Sequence, residues 1–174
     1  MRVACIGSRD LNSAAISTCE KLGAWVVECG HELHTGNALG ADQAFARGAN
    51  RVNPALVHLH LPWKTYEAEA IHPQNRVRSV EDLNPEDRIV FATLAQQYHP
   101  VYQRLSQGAQ KLMMRNGMII LGCQLVLAWP SKKPGGGGTG QGMRLAKAHT
   151  IKLVDLNHLS QDDLFGLCEE IKES

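Results

Sequence analysis

Three strand-like segments of this chain each end in a glycine-containing turn that leads into a helical pattern. The segments cover residues 3–6, 31–34 and 125–129, and the turns cover residues 7–9, 36–40 and 135–139. A strand, a tight turn and a helix in this order form the repeating unit of a parallel β-sheet. The chain is therefore predicted to fold as an α/β protein, a Rossmann-like parallel sheet covered by helices on both faces.

The rest of the chain continues this alternation. Further strands are predicted at 56–61 and 152–155, and helices at 14–28, 41–50, 85–97, 101–115, 139–149 and 160–172. Asn12 or Ser13, Asn84 before Pro85, and Ser160 are the predicted helix caps. Because the chain has 174 residues, we predict one domain, 1–174, with a helical insertion at about 63–115.

Charge and cysteine content limit the classes of function. Lys and Arg number 18 against 17 Asp and Glu, and the net charge is +1, so nucleic acid is not an expected partner. The N-terminal apolar run is too short for a signal peptide, and no segment has the roughly 20 apolar residues that span a bilayer. The five cysteines form no C-x-x-C pair and are read as buried, reduced thiols. We expect a cytoplasmic protein without a membrane partner.

The three glycine turns are expected to meet at one edge of the sheet, where α/β proteins bind ligands. Glycine lets backbone N–H groups approach an anion, and a helix N-terminus favours negative charge. Arg9, Lys132 and Lys133 add positive side chains. The pattern favours a phosphate-bearing small molecule, most simply a nucleotide, although each turn could also be only a tight connection. G-x-x-x-x-G-K-[ST] and an early G-x-G-x-x-G are both absent, which excludes a P-loop NTPase and an ordinary NAD dehydrogenase. No cofactor is predicted.

Four motifs occur in an order that resembles the SLOG superfamily: I-G-S-R at 6–9, T-G-N-A-L-G-A-D at 35–42, R-N at 115–116 and P-G-G-G-G-T at 134–139. This superfamily includes the DNA-processing protein DprA, the Lonely Guy phosphoribohydrolases and the YspA-like proteins, and the first two motifs are most similar to the YspA-like branch. The resemblance implies a Rossmann-like fold that binds a nucleotide or nucleotide-derived ligand, often as a homodimer. The implied ligand-binding residues are Gly7, Ser8, Arg9, Gly36, Asn37, Ala38, Gly40, Asp42, Arg115, Asn116, Gly135, Gly136, Gly137, Gly138, Thr139 and Gln141.

Enzymatic activity is a separate question, because the Lonely Guy motif P-G-G-x-G-T-x-E-E is only partly matched. Its two acidic positions are Gln141 and Gly142 here, while Arg115 is similar to the arginine of those enzymes. Cleavage of an N-glycosidic bond needs a carboxylate, which Asp42 or Asp10 could supply. Three hypotheses follow: a nucleotide-binding protein, which we favour; an N-glycosidase acting on nucleoside monophosphates with Arg115 and Asp42 as catalytic residues; and a DprA-like nucleic-acid-binding protein.

Several single residues allow two interpretations. Asp42 lies at a helix start and Arg115 at a predicted helix end, where each charge would also complement the helix dipole. Trp63 and Tyr66 could stack on a base or pack the insertion onto the domain.

Two further groups were considered for metal binding and for dimerisation. His58 and His60 share one strand face and could join His31 or His34 at a metal. No cysteine or carboxylate has supporting spacing, so no metal site is predicted. A dimer face is predicted on the helix at 101–115, through Val101, Leu105, Leu112 and Met113.

Overall fold

A six-stranded sheet, all of whose neighbouring strands are parallel, forms the centre of the protein. The structure is a computed structural model that describes residues 1–132 and 137–174. The strands are β1 (Arg2–Gly7), β2 (Glu32–Thr35), β3 (Val57–Leu61), β4 (Arg76–Ser79), β5 (Leu125–Trp129) and β6 (Lys152–Asp155). Their order across the sheet is β4-β3-β2-β1-β5-β6.

Six α-helices connect or follow these strands in the described part of the chain. They are α1 (Ser13–Glu28), α2 (Ala41–Asn50), α3 (Pro85–Tyr98), α4 (Gln107–Ile120), α5 (Gly137–Ala148) and α6 (Gln161–Glu173). The predicted caps are confirmed: the side chains of Asn12, Asn84 and Ser160 each accept a hydrogen bond from a backbone N–H in the first turn that follows. These bonds satisfy donors that have no partner within the helix itself.

Both faces of the sheet are buried, and alternate residues of β1 show this directly. Val3 and Cys5 belong to the apolar cluster formed with α1 and α2, where Phe45 is fully buried. Ala4 and Ile6 point to the other side and join a cluster with residues of α4 and α5. Successive side chains of a strand point to opposite faces, so one short strand supplies both cores. The predicted α/β fold with a covered parallel sheet is confirmed.

The segment 63–115 differs from the helical insertion predicted for it, because it contains the edge strand β4. The strand pairs with β3, and its residues Arg76, Val77 and Arg78 are exposed. A four-residue edge strand that carries one apolar residue between two arginines has no clear alternation of buried and exposed positions. The sequence pattern therefore did not reveal it.

Helix α4 also differs from its prediction at 101–115. It begins at Gln107 after the cap Ser106 and continues to Ile120, while Tyr102–Arg104 forms a separate 3-10 turn. The helix was predicted to end at 115, before the apolar run at 118–121, but that run is largely the last turn of α4, where Ile119 and Ile120 pack against the sheet. Arg115 thus lies inside the helix, and the predicted helix-end position for Arg115 is wrong.

The order of the strands fixes where a ligand would enter. From β1 the chain moves outward through β2, β3 and β4, and then crosses to the other side of β1 to form β5. The two connections leave in opposite directions and open a crevice beyond the carboxyl ends of β1 and β5.

Within the described residues, no helix is long and apolar enough to cross a membrane.

Candidate ligand-binding site

A cavity of about 420 Å³ lies in this crevice. Five parts of the chain form its wall: the end of β1 with the turn after it, the start of α2 with the turn before it, one face of α4, Ser131 after β5, and the first turns of α5. The lining residues are Ile6, Gly7, Ser8, Arg9, Asp10, Ala38, Asp42, Leu112, Met113, Arg115, Asn116, Ile120, Ser131, Gly137, Gly138, Thr139 and Gly142. Of the predicted ligand-binding residues, Gly135 and Gly136 lie outside the described residues.

A buried ion pair joins two of the predicted residues at the base of the cavity. Arg115 Nη1 lies 3.3 Å from Asp42 Oδ2, and each side chain is only 6% exposed. The carboxylate also accepts hydrogen bonds from the backbone N–H of Gly7, at 3.2 Å, and of Ala38, at 3.4 Å. Asp42 therefore connects the first glycine turn, the second glycine turn and α4.

Burial dominates the electrostatics of this pair. It raises the pKa of the Asp42 carboxyl above its ordinary value, and the Arg115 guanidinium and the two backbone N–H groups oppose that rise. On the other partner, Arg115 Nε is buried and has no hydrogen-bond partner among the described residues. An unsatisfied buried donor is costly, so this guanidinium keeps a hydrogen-bond donor that the described residues do not use.

Gly36 supports the site without lining the cavity. A Cβ atom at this position would lie 1.1 Å from Arg115 Nη1, so only glycine leaves space for the guanidinium. Gly40 has a similar role with φ of +86°, where a Cβ would come within 2.4 Å of the Ser8 carbonyl oxygen. The second glycine turn therefore shapes the first turn and positions Arg115 through close backbone approach.

Asn37 is likewise buried and takes part in internal contacts. Its Nδ2 donates to the Glu67 carbonyl at 3.0 Å, and its backbone adopts φ of 59°. Asparagine tolerates this left-handed conformation better than most residues.

Asn116 and Gln141 connect α4 with α5. Asn116 Nδ2 donates to Gln141 Oε1 at 2.8 Å and to the Gly138 carbonyl at 3.1 Å, and Gln141 Nε2 donates to the Met113 carbonyl at 3.3 Å. Gln141 is 1% exposed and does not line the cavity. The residue at the position of a Lonely Guy glutamate is thus a neutral amide with internal partners.

Tyr66 contacts both cationic side chains that line the cavity. Arg9 Nη2 donates to the Tyr66 hydroxyl at 3.2 Å, and Arg115 Cζ lies 5.9 Å from the Tyr66 ring centroid. Trp63 meets the same ring edge to face, with centroids 5.1 Å apart. Neither aromatic residue lines the cavity, so packing, the second interpretation given for them, describes their position.

A second cavity of about 460 Å³ shares Ser8, Asp10 and Ser131 with the first. It extends past Trp129 and Lys132, which brings one of the predicted cationic residues to the same edge. Trp129 is partly buried: it lines this second cavity and also packs against the core. Together the two cavities extend along the carboxyl ends of β1 and β5.

Three of the four histidines considered as metal ligands come together on one face of the sheet. His34 stacks on His58 with centroids 4.4 Å apart, and His34 Nδ1 lies 3.0 Å from His60 Nε2. Burial lowers the pKa of His34 to about 4, so its ring is neutral at pH 7. His31 lies elsewhere, with Nε2 2.7 Å from the Ile171 carbonyl oxygen.

Glu32 is a member of this group that the sequence reasoning did not select. Its carboxylate lies 3.5 Å from His34 Nε2 and 3.6 Å from His58 Nε2. Glu32 stands two residues before His34, a spacing that places both side chains on one strand face. The spacing of Glu32 and His34 could therefore have indicated from the sequence that Glu32 belongs to the histidine group.

Comparison with known proteins supports the fold. The chain matches no known family profile, and no curated protein matches its sequence. Among solved structures, it is similar to DNA processing protein A from Helicobacter pylori, described for its single-stranded DNA binding, with a TM-score of 0.60 and 19% identity over 99% of this chain and 73% of that one. DNA processing protein A (DprA) from Streptococcus pneumoniae gives a TM-score of 0.57 and 17% identity over 99% of this chain and 56% of that one. At these identities the similarity shows a shared Rossmann-like α/β fold.

Proposed function

We propose that this protein binds a small nucleotide or nucleotide-derived molecule in the cavity beyond β1 and β5, as a member of the YspA-like branch. One observation carries the proposal: Arg115, buried and with Nε unpartnered among the described residues, lines a cavity that also receives the first turn of α5. The first N–H groups of a helix have no acceptor within the helix and favour an anion. Gly137 and Gly138 add no side chain between those groups and a phosphate.

The dimensions and polarity of the cavity suit this class of ligand. A volume of about 420 Å³ falls in the usual range for small-molecule sites. Arg9 and Arg115 offer positive charge for phosphate, while Asp10 offers a carboxylate acceptor for ribose hydroxyl groups. Apolar contacts for a base come from Ile6, Leu112 and Met113.

Binding without chemistry is favoured over hydrolysis. Asp42 already accepts bonds from three donors, so its oxygens are occupied by the protein and serve to hold Arg115. Gln141 is neutral and buried. Asp10 is exposed and lines the cavity, so it is the carboxylate to which a hydrolase hypothesis would turn.

A nucleic-acid ligand is the second candidate, because one structural neighbour is described for single-stranded DNA binding. The near-balanced charge of the chain argues against extensive phosphate contacts. A strand that binds weakly through few phosphates would show a shallow dependence of affinity on salt. The predicted homodimer remains a prediction, which light scattering after size exclusion tests.

The test is incubation of the purified protein with AMP, GMP, CMP, UMP and ADP-ribose, with melting temperature and chromatography read from the same samples. We expect one or more of these nucleotides to raise the melting temperature without release of free base. Release of free base would instead establish hydrolysis. No response to any nucleotide, together with binding of an oligodeoxythymidine, would replace the proposal with the second candidate.

Gly138→Asp locates the site. Its Cβ would lie 3.3 Å from Asn116 Nδ2, so the fold has nearly enough room for it, while its carboxylate would occupy the place proposed for phosphate. We expect this variant to lose the nucleotide-induced shift. Gly166→Asp is the matched control, because it adds the same charge in α6, where a Cβ meets no atom within 4 Å. Equal nucleotide affinity in both variants would place the ligand elsewhere.

A further inference from the structure

We propose that Glu32, His34 and His58 form a binding site for a divalent transition-metal ion, with Zn²⁺ as the best match. The three residues lie on β2 and β3, and none of them lines the nucleotide cavity. The register of the sheet creates it: His34 is paired directly with His58, and Glu32 precedes His34 by two residues on the same strand. Side chains in this arrangement share one face of the sheet.

The distances between the donor atoms fit a tetrahedral ion. Glu32 Oε2 lies 3.5 Å from His34 Nε2, and Glu32 Oε1 lies 3.6 Å from His58 Nε2. Zn²⁺ bonds of about 2.0–2.2 Å place tetrahedral ligands about 3.3–3.5 Å apart. One ligand atom from each residue falls within 4.8 Å of the others, so small side-chain rotations bring all three onto a common ion.

The ring nitrogens are arranged as a metal site requires. His58 Nε2 is buried and has no hydrogen-bond partner among the described residues, although it faces the carboxylate. His34 Nδ1 lies 3.0 Å from His60 Nε2. When His34 Nε2 binds the ion, Nδ1 carries the ring proton and donates a hydrogen bond to His60 Nε2. This bond fixes the orientation of the His34 ring, as hydrogen-bond partners of metal-bound histidines commonly do.

Glu32 is accessible to solvent, and two arginine side chains compete with a metal ion for its carboxylate. Glu32 is 28% exposed, so water can reach the open position that three protein ligands leave. Arg2 Nε lies 3.1 Å and Arg76 Nη1 lies 3.8 Å from the Glu32 carboxylate. Both arginine side chains are more than half exposed, at 57% and 61%, and can swing into solvent when an ion binds.

The experiment titrates Zn²⁺ into metal-stripped protein against a chromophoric chelator. We expect one tightly bound equivalent per chain, and with Co²⁺ the visible absorption of a tetrahedral nitrogen and oxygen site. Glu32→Gln, His34→Gln and His58→Gln should abolish this binding, and His60→Gln should weaken it by about 10–100-fold. His158→Gln, which removes an exposed histidine outside the cluster, should bind as the parent does.

Arg76→Ala adds a test with the opposite sign. Removing a cation that competes for Glu32 should increase the affinity for Zn²⁺. If the cluster were only an ion-pair network, neither the parent nor this variant would bind Zn²⁺. Because Arg76 is exposed, this variant keeps the test decisive even where a histidine variant does not fold. Absence of Zn²⁺ binding by the parent protein, or unchanged affinity in the Glu32, His34 and His58 variants, would overturn the proposal.

Discussion

At the scale of single residues, the contact between Asp42 and Arg115 decides what the cavity offers. A guanidinium has five donors in a fixed plane, and here the carboxylate engages Nη1 while Nε stays without a partner among the described residues. Gly36 leaves the space in which that plane lies. The pair therefore presents an oriented cation instead of a mobile one, which would lower the entropic cost of binding the proposed anionic ligand.

Breaking this pair should be costly and non-additive. Arg115→Gln or Asp42→Asn leaves the other charge buried without its partner, and each should lower the free energy of unfolding by about 3 kcal/mol. The double variant should lose clearly less than the sum, because it removes both charges. Urea denaturation of the four proteins measures this cycle. Strictly additive losses would mean that the two groups do not interact.

At the scale of elements, helices α1 and α2 approach each other closely at two glycines. A Cβ at Gly23 would lie 2.1 Å from the Phe45 carbonyl oxygen, and one at Gly48 would lie 1.9 Å from the Glu20 carbonyl oxygen. Both obstacles are backbone atoms, which cannot rotate away. The placement of α2, and with it Asp42 at its first turn, depends on this contact.

Gly23→Ala should therefore destabilise the protein by about 1–3 kcal/mol, since the helices must separate. Gly166→Ala is the comparison, because this glycine of α6 has open space around it. That change should stabilise the protein by up to about 1 kcal/mol through helix propensity. Thermal unfolding of both variants gives the signs, and a neutral Gly23→Ala would contradict the close approach.

The turn after β4 gives a prediction for acid pH. The Ser79 N–H donates to Asp82 Oδ2 at 2.9 Å, and Lys64 Nζ lies 3.1 Å from Asp82 Oδ1; these contacts lower the pKa of Asp82 to about 2 from 3.8. A lowered pKa in the folded state stabilises the protein above pH about 4, and the effect is lost as the pH falls through about 2. Asp82→Asn should thus be less stable than the parent at pH 6, and the gap should close toward pH 2.

Urea midpoints between pH 2 and pH 6 measure this gap. The same series on Asp162→Asn, an exposed aspartate of α6, serves as the control. A gap for Asp82→Asn that stays constant across the range would contradict the assignment.

Much of the fold was readable from the chain because it depends on local patterns. Strands β5 and β6 and helix α2 have their predicted bounds, since glycine, proline or polar caps flank clear apolar patterns. Strand β4 was not readable, because pairing with β3 stabilises it and its own apolar content does not. The end of α4 was misread for a related reason: packing against the sheet continues the helix through an apolar run that suits either structure.

The candidate site was predictable in part for the same reason. The turn at 7–10 and Asp42 line the cavity, as their position after strands suggests. Contacts between distant segments were not visible in the sequence. Leu112 and Met113, predicted for a dimer face, line the cavity. Gly36, in the turn after β2, leaves space for the side chain of Arg115 on α4. Tyr66 holds Arg9 across 57 positions of sequence.

At the scale of the whole molecule, binding of the proposed ligand should increase the free energy of unfolding. A nucleotide at about 100 times its Kd adds roughly 2.7 kcal/mol to the free energy of unfolding. For a protein of this size that corresponds to a rise of about 5–10 °C in melting temperature. The rise should grow with the logarithm of nucleotide concentration in the parent and be absent in Gly138→Asp. A shift independent of concentration would point to an effect other than binding.

The position of β1 between β2 and β5 has a consequence for folding kinetics. Arg2 and Gln124, which are hydrogen-bonded where β1 meets β5, are 122 residues apart in the chain. Closing so long a loop is an entropic cost that must be met before the pairing yields any stabilisation. Because the walls of the cavity come from both sides of this junction, competence to bind should emerge only late in refolding. A bound nucleotide should then mainly lower the unfolding rate constant and leave the folding rate constant nearly unchanged. The occupied protein would therefore stay folded for longer but would not fold faster.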